Sequence, residues 1–255
     1  MFVKTMKSLI AGAMLIGMGT PAFAEDTAAV SIAGNMSVMS NYIWRGVPQA
    51  APKEVSVSGG LDFSFAAVPG LTLGNWNATA GGSTETDYYL SYEGEAGDFG
   101  YSVGVTYYSY DWKSFGTKTD ASGKTSNVAS EAEYFFGGSY DAFSGTYYLT
   151  PAQDATWGQG SSSTAGVALD WLELGYETEA LGYGIGLTYG TGTYNHQWLS
   201  GAGIAPETTA ILTMAFSKEI SENLSASFNK THVMTQAVKD SKLSNEFWMA
   251  LDYSF

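Results

Sequence analysis

Two histidines, His196 and His232, are the residues of this chain that could serve as the base of a hydrolytic reaction. A serine hydrolase needs such a base within hydrogen-bond reach of its serine, and a third group must orient the base. Neither TYNHQW nor NKTHVM places a serine two residues from its histidine, where both side chains would share one face of a strand. The sequence therefore predicts no catalytic residue and no enzymatic activity.

Metal and cofactor chemistry is equally poorly represented. The 255 residues include no Cys, which excludes a disulfide scaffold, a thiol nucleophile and a Cys-ligated zinc. The glycines recur on strand faces rather than between a strand and a helix, so no phosphate-binding loop is predicted. Glu85 and Asp87 could attract calcium in a predicted outer loop, but no EF-hand-like spacing surrounds them. We expect no cofactor and no metal site.

The net charge of the chain further limits its possible binding partners. The chain carries 25 acidic and 11 basic residues, a formal net charge of −14, and Arg45 is its one arginine. So acidic a chain would repel phosphate at each encounter, which excludes nucleic acid as a partner.

The first 24 residues have the features of a secretory signal peptide. Lys4 and Lys7 precede the apolar stretch SLIAGAMLIGMG, and Ala22-Phe23-Ala24 forms a small-x-small cleavage site. That stretch is shorter than the roughly 20 residues that a membrane-spanning helix needs. We therefore expect residues 1–24 to be removed and residues 25–255 to fold as one domain.

Apolar residues of the mature chain alternate with a period of two, which is typical of strands with one apolar and one polar face. In the last segment, for example, Phe247, Met249 and Leu251 oppose Trp248 and Ala250. The phase slips near Trp171, where a bulge or a misplaced boundary is expected. The pattern predicts twelve strands, at about residues 30–45, 53–66, 70–79, 86–95, 98–111, 129–141, 144–151, 166–179, 182–193, 207–218, 222–233 and 244–255.

The connections between these strands indicate a membrane barrel. They alternate between longer loops (46–52, 80–85, 112–128, 152–165, 194–206 and 234–243) and short turns. This is the arrangement of bacterial outer-membrane barrels, with turns in the periplasm and loops outside. A secreted β-sandwich also alternates, but its strands are shorter and its inner faces could not be built from Gly, Ser, Thr and carboxylates. The 37 aromatic residues suit the girdles at the two membrane surfaces.

A family resemblance supports this interpretation. SNYIWRGVPQ (40–49), VSVSGGLDFSF (55–65) and GLTLGNWNAT (70–79) together resemble the opening of the TorF family, whose members start with an S-[ND]-Y-x-[WF]-R-G-x-[ST]-Q-like motif. DYYLSYEGEAGDFGYSVGVTYYSY (87–110) and SEAEYFFGGSY (130–140) resemble the next hairpins. The resemblance implies a porin of the bacterial outer membrane. The closing Phe255 resembles the C-terminal signature that the barrel-assembly machinery recognises.

If the apolar face points outward, the polar face lines a wet interior, since charged side chains facing lipid are costly. Such a lining would favour cations over anions. Some of these carboxylates could instead sit at the rim, because parity alone does not separate rim from lumen. The predicted pore-lining residues are Arg45, Glu54, Asp62, Asp87, Glu93, Glu131, Glu133, Asp141, Glu173, Glu177, Glu246 and Asp252.

Arg45 has two interpretations, an electrostatic landmark in a constriction or a clamp that pairs bidentately with a carboxylate, and we favour the clamp. Trp44 has the opposite parity and is expected in the outer aromatic girdle. At twelve strands the bore is intermediate in width, since eight strands are just filled and sixteen leave a channel. Five bulky residues fall inward and could narrow it: Tyr89, Tyr108, Tyr110, Phe135 and Trp248.

The sequence thus predicts an outer-membrane porin that passes small hydrophilic solutes and prefers cations. The alternative is a structural or surface-interaction barrel whose lumen is plugged, and an outer-membrane hydrolase is a third hypothesis. The outward apolar faces suit lipid and a neighbouring barrel equally, so an oligomer is compatible with the sequence.

Overall fold

A computed structural model describes residues 29–49, 54–80, 83–110, 117–119, 125–127, 130–150, 169–194, 207–234 and 245–255. These ranges contain no helix that could span a membrane. The proposed signal peptide, residues 1–24, and His196 lie outside the described residues.

Twelve strands form one closed antiparallel barrel, in which each strand pairs with the barrel strands before and after it in the chain and the first pairs with the last. They are β1 (Val30–Met39), β4 (Ser56–Phe65), β5 (Leu71–Ala80), β6 (Ser83–Ala96), β7 (Phe99–Tyr110), β10 (Ser130–Tyr140), β11 (Phe143–Thr150), β12 (Leu169–Ala180), β13 (Tyr183–Tyr194), β14 (Glu207–Ser221), β15 (Leu224–Val233) and β16 (Phe247–Ser254). Two small hairpins complete the described strands, β2–β3 (Ile43–Trp44 and Val47–Pro48) and β8–β9 (Thr117–Thr119 and Thr125–Asn127).

The barrel closes where the first strand meets the last. Met36 of β1 is paired with Gly59 of β4 on one side and with Tyr253 of β16 on the other. The backbone of Phe255 continues this seam, donating to the Gly34 carbonyl at 3.0 Å and accepting from the Gly34 amide at 2.9 Å. Closure leaves no open sheet edge, which lipid would penalise at several kcal/mol for each unpaired backbone group.

Side-chain burial follows the predicted two-residue period. Phe136, Met249 and Leu251 are exposed on the outer surface, whereas Phe135 and Trp248, one residue away along their strands, are buried inside. Ten of the twelve strands have 10–15 residues, and β11 and β16 have eight. Most strands therefore reach the length of about 9–11 residues that crossing a bilayer at a tilt takes. All twelve predicted strands are therefore confirmed, and so is the all-β transmembrane fold.

The connections define two ends of the barrel. At the turn end, β6–β7, β10–β11, β12–β13 and β14–β15 are joined by two residues each, such as Leu181-Gly182, both at positive φ. The other end, where longer connections join the strands, is called the loop end below. One predicted long loop is wrong: β5 ends at Ala80 and β6 begins at Ser83. Its Thr and Ser residues extend the ladder instead, with Thr79 opposite Thr84.

Two further details of the strands differ from expectation. The first strand ends at Met39 rather than at residue 45, because the chain then turns into the barrel. At Trp171 the pairing of β12 is continuous with both neighbours, so the phase slip marked a misplaced boundary and not a bulge. The register shift lies elsewhere, between Glu219 and Ser221 of β14.

Candidate functional site

The β2–β3 hairpin is the feature around which the barrel interior is organised. Its two turn residues, Arg45 and Gly46, have φ values of 46° and 81°, and Trp44 pairs with Val47 across the turn. Positive φ at both central positions is the type I′ geometry that matches the twist of a tight hairpin. Glycine adopts it freely, whereas an arginine there is uncommon and must be held by its contacts.

The hairpin lies inside the barrel and reaches opposite parts of its wall. Tyr42, just before the hairpin, packs with Ala78 and Ala80 of β5. Val47, on the other arm, packs in a second cluster whose wall residues are Phe135 of β10, Tyr148 of β11, Trp171 of β12 and Ile211 of β14. In the closed ring, β5 and β12 are five strands apart, so the hairpin crosses the bore.

Arg45 fastens the turn to the wall. Its Nη1 and Nη2 donate to Oε2 and Oε1 of Glu133 at 2.8 and 2.9 Å, a bidentate ion pair in which both residues are at most 8% exposed. The hydroxyls of Tyr108 and Thr150 donate to the same carboxylate at 3.0 and 3.4 Å. Burial is the largest single effect on the pKa of Arg45 and lowers it, but the charge and hydrogen bonds of Glu133 and the smaller effects of Tyr108 and Glu173 together raise it by more, so Arg45 stays charged. The clamp interpretation of Arg45 therefore agrees with the structure.

Three aromatic rings surround the Arg45 guanidinium. Its Cζ lies 4.5 Å from the Trp44 ring, 4.7 Å from the Tyr148 ring and 5.4 Å from the Trp171 ring. Trp171 is anchored in turn, since its Nε1 donates to Glu173 at 2.9 Å. The predicted place of Trp44 in the outer girdle is wrong, because the hairpin carries it inward against both interior clusters.

A pair of carboxylates faces inward near the loop end of β6. Glu85 and Asp87 are 2% and 0% exposed, and both oxygens of Asp87 lack a hydrogen-bond partner. In the ladder, Asp87 stands opposite Trp76 of β5 and Tyr108 of β7. Tyr42 contacts the Trp76 ring edge-on, with centroids 5.7 Å apart. The acid pair is therefore next to the part of β5 on which Tyr42 packs.

Asp62 and Tyr89 form a second interior link. The Tyr89 hydroxyl donates to Asp62 across the intervening strand β5, and both residues are buried. Gly74 of β5 is opposite both of them in the ladder, and a side chain there would collide with the Tyr89 ring. Gly74 is thus the residue that lets a large ring lie flat on the wall and reach two strands away.

The other predicted pore-lining residues are placed less centrally. Glu177 of β12 and Asp252 of β16 are half-buried at inward positions, and Glu246, just before β16, is half-buried as well. Glu93 is exposed near the turn end. Glu54 is exposed before β4 begins, and Asp141 is exposed in a two-residue turn at a φ of 51°, outside the wall. Glu131 is in β10, with no side-chain placement described, and the same holds for Tyr110 of β7.

Sequence reasoning missed the hairpin and the rings that receive it. Arg45-Gly46 was available as a signal, since a residue followed by glycine between IW and VP suits a two-residue turn. The phase slip at Trp171 was a second signal, because a large ring on an inward position needs something inside the barrel to pack against. Tyr89, Phe135 and Trp248, predicted to point inward, are buried there.

The chain resembles known proteins at the level of family and fold. A family described as "Bacterial protein of unknown function (Gcw_chp)" matches residues 23–216. No curated protein sequence matches the chain. The solved structure of the NanC porin superimposes with a TM-score of 0.54 at 8% identity, covering 88% of this chain and 99% of that one. OmpTdeltaL8, a loop deletion mutant of an outer membrane protein of Vibrio cholerae, gives 0.49 at 10% identity, covering 89% and 99%. The fold is that of outer-membrane porins.

Proposed function

The chain belongs to Gcw_chp, a bacterial family of unknown function, and we propose that it is a Gram-negative outer-membrane channel for small hydrophilic solutes. One observation carries the proposal: a closed twelve-stranded barrel with exposed apolar residues outside and carboxylates inside. In a membrane, the apolar outer surface contacts lipid tails, and the polar interior can hold water. The resemblance of the opening residues to TorF porins stays a prediction that is compatible with this function.

Cation preference follows from the charge of the interior. Asp62, Asp87, Glu133 and Glu173 face inward and are buried, whereas Arg45 is the inward basic residue among the described side chains and is already paired with Glu133. A narrow passage lined by excess negative charge attracts cations and repels anions. The remaining pore-lining candidates would extend this field toward the two rims.

A plugged barrel is the second candidate function, and the β2–β3 hairpin favours it. The hairpin crosses the bore and its Tyr42, Ile43 and Val47 are 4–6% exposed, so little water reaches this level of the interior. In that case the loops, rather than a pore, would meet partners. A channel restricted by the hairpin and a barrel sealed by it differ in one measurable property, which is conductance.

A hydrolase is the weakest of the three alternatives. His232 is exposed at the loop end of β15, on the outward parity of that strand, away from the interior acids. Lipid turnover by the purified protein, abolished by His232→Ala, would be required to support it. We propose a non-enzymatic role.

Planar-bilayer recording of the purified full chain tests the function. Discrete open-channel steps are expected, with a reversal potential in a KCl gradient that indicates cation preference. Swelling assays with uncharged solutes of graded size would then define the cut-off. Silent bilayers at protein amounts that insert fully would contradict the channel and support the plugged barrel, and a reversal potential of anionic sign would contradict the preference.

Localisation and assembly follow from the same proposal. Residues 1–24 would direct secretion, and Phe255 at the seam, 65% exposed beside Gly34, would present the C-terminal signal to the assembly machinery. Membrane fractionation of cells expressing the full chain tests localisation, and Phe255→Ala is expected to lower the amount of folded barrel in the outer membrane.

A further inference from the structure

We infer that Glu85 and Asp87 form a binding site for one monovalent inorganic cation inside the barrel. The inference rests on the proposed channel function, which it deepens by naming where a permeating cation would pause. It is carried by two separate observations, the pairing of two carboxylates on one strand face and the unsatisfied oxygens of the more buried one.

The geometry of the pair comes from the strand period. Glu85 and Asp87 are two residues apart on β6, so both side chains face inward, and their negative charges are close enough to repel. Neither is more than 2% exposed. Glu85 has an interaction of its own, whereas burial and the neighbouring charge of Glu85 both oppose a free negative charge on Asp87, so something has to neutralise Asp87.

Asp87 shows that the protein does not supply this neutralisation itself. Both of its carboxylate oxygens are buried with no hydrogen-bond partner. An isolated ionised carboxylate in an apolar environment is so costly that it either takes up a proton or is paired with a cation. Because most buried polar groups in native proteins are hydrogen-bonded, two orphaned oxygens on one side chain indicate a missing ligand.

The basic side chains that the structure describes are engaged elsewhere. Arg45 donates two hydrogen bonds to Glu133. Lys218 donates to the carbonyl of Gly182 at the turn end, at 2.6 Å. Lys230 lies 4.8 Å from the centre of the Phe247 ring. The counter-charge at Asp87 is therefore assigned to an ion from solution.

The donor set selects the class of cation. No group of three or more His, Cys, Asp or Glu side chains suited to a metal gathers among the described residues. Because Glu85 has an interaction of its own, Asp87 is the carboxylate of this pair whose oxygens lack a partner. One monovalent cation neutralises the single charge of Asp87, whereas Ca²⁺ sites usually draw on several carboxylate and carbonyl oxygens. Trp76 and Tyr108 are paired with Asp87 on the neighbouring strands, and aromatic rings close to a cation attract it.

Thermal unfolding of the full chain in detergent tests the site. The midpoint is measured in KCl, NaCl and N-methylglucamine chloride at equal ionic strength. We expect the midpoint of the wild-type chain to rise with K⁺ or Na⁺ and to saturate, because the ion binds the folded state alone. The Asp87→Asn variant should show no difference among the three salts. Glu95→Gln, on the same strand but exposed, removes one charge as well and should respond like the wild type.

Equilibrium dialysis with ²²Na⁺ gives a second measurement that needs no variant to fold. About one ion bound per chain, displaced by K⁺ but not by N-methylglucamine, is expected for a single site. Equal midpoints of the wild-type chain in all three salts together with no retained ²²Na⁺ would overturn the inference, because Asp87 would then hold a proton. A midpoint of Asp87→Asn that still rises with K⁺ would overturn it too.

The outcomes separate the site from the channel. Ion-dependent stability in a protein that never conducts would leave the site standing and remove the proposed function. A cation-selective channel whose stability and ²²Na⁺ retention ignore the alkali ions would do the reverse. If both hold, Asp87→Asn should bring the ratio of cation to anion permeability closer to one by several-fold, and Glu95→Gln should change it less.

Discussion

The two halves of the barrel interior differ sharply although the same alternation builds both. Toward the loop end, inward side chains such as Trp171, Glu133 and Thr231 are at most 4% exposed. Toward the turn end, inward positions such as Gly175, Ser225 and Asp252 are half-buried. The half of the interior near the loop end, called the loop half, is tightly packed. The half near the turn end, called the turn half, is lined by small and polar residues and is more open. The period of two decides which way a side chain points, but not whether it meets water.

The hairpin accounts for the difference. It brings Tyr42, Ile43 and Val47 into the loop half, and large rings of the wall pack against it. The turn half receives no such segment from the described residues, and its inward glycines and serines leave room. A barrel of twelve strands is too wide to be filled by wall side chains alone, since about eight strands is the width that they fill.

Replacing the hairpin is the most direct way to abolish the difference between the halves. If residues 43–48 are changed to a Gly-Ser segment of equal length, the loop half should open. We expect single-channel conductance to rise on the order of tenfold, because the constriction is what limits a barrel of intermediate width. Planar-bilayer recording measures it.

The β8–β9 hairpin provides the matched control, because it too is a two-stranded sheet separate from the barrel wall and belongs to a connection at the loop end, between β7 and β10. Changing residues 117–119 and 125–127 to Gly and Ser should leave conductance unchanged. If removing residues 43–48 changes conductance no more than this control does, the hairpin is not the constriction.

Breaking the ion pair tests whether the loop half is truly dry. Glu133→Ala leaves the Arg45 guanidinium buried without its counter-charge, which should cost about 3–5 kcal/mol of unfolding free energy. Glu179→Ala removes an exposed carboxylate at the turn end and should stay within about 0.5 kcal/mol. Urea unfolding in phospholipid vesicles gives both values.

The double variant Arg45→Ala/Glu133→Ala sharpens this test. It should recover part of the loss of Glu133→Ala, since the unpaired charge is gone and the two residues are coupled. A loss equal to the sum of the two single losses would mean that the pair contributes no coupling.

The sequence predicted the strands that form the barrel wall but not the hairpin that lies inside the barrel. The positions of all twelve strands follow from alternation, which is local information carried by residues such as Phe247 and Met249. The contact between Arg45 and Glu133 joins positions 88 residues apart, and no local pattern specifies it. Parity also failed for Trp44, because the rule holds only while the chain stays in the wall.

Tyr89→Phe probes the boundary between the two halves. The variant keeps the ring over Gly74 but removes the hydroxyl that Asp62 accepts from. A hydrogen bond to a buried charged group contributes about 1.5–3 kcal/mol, so a loss in that range is expected in urea unfolding. Tyr88→Phe on the outer face makes the same chemical change and should be neutral or slightly stabilising. Equal losses for the two variants would show that the Asp62 link does not stabilise the fold.

Asp252→Asn gives the smallest expected effect and the closest test of the turn half. Asp252 is inward on β16 and half-buried, so water can solvate the carboxylate of the wild-type chain and the amide of the variant alike. The free energy of unfolding should change by less than about 0.5 kcal/mol, as for most substitutions away from buried networks. A loss near that of Glu133→Ala would mean that the turn half is as dry as the loop half. The hairpin would then not explain the difference in burial, because a segment that packs only near the loop end cannot exclude water from both ends.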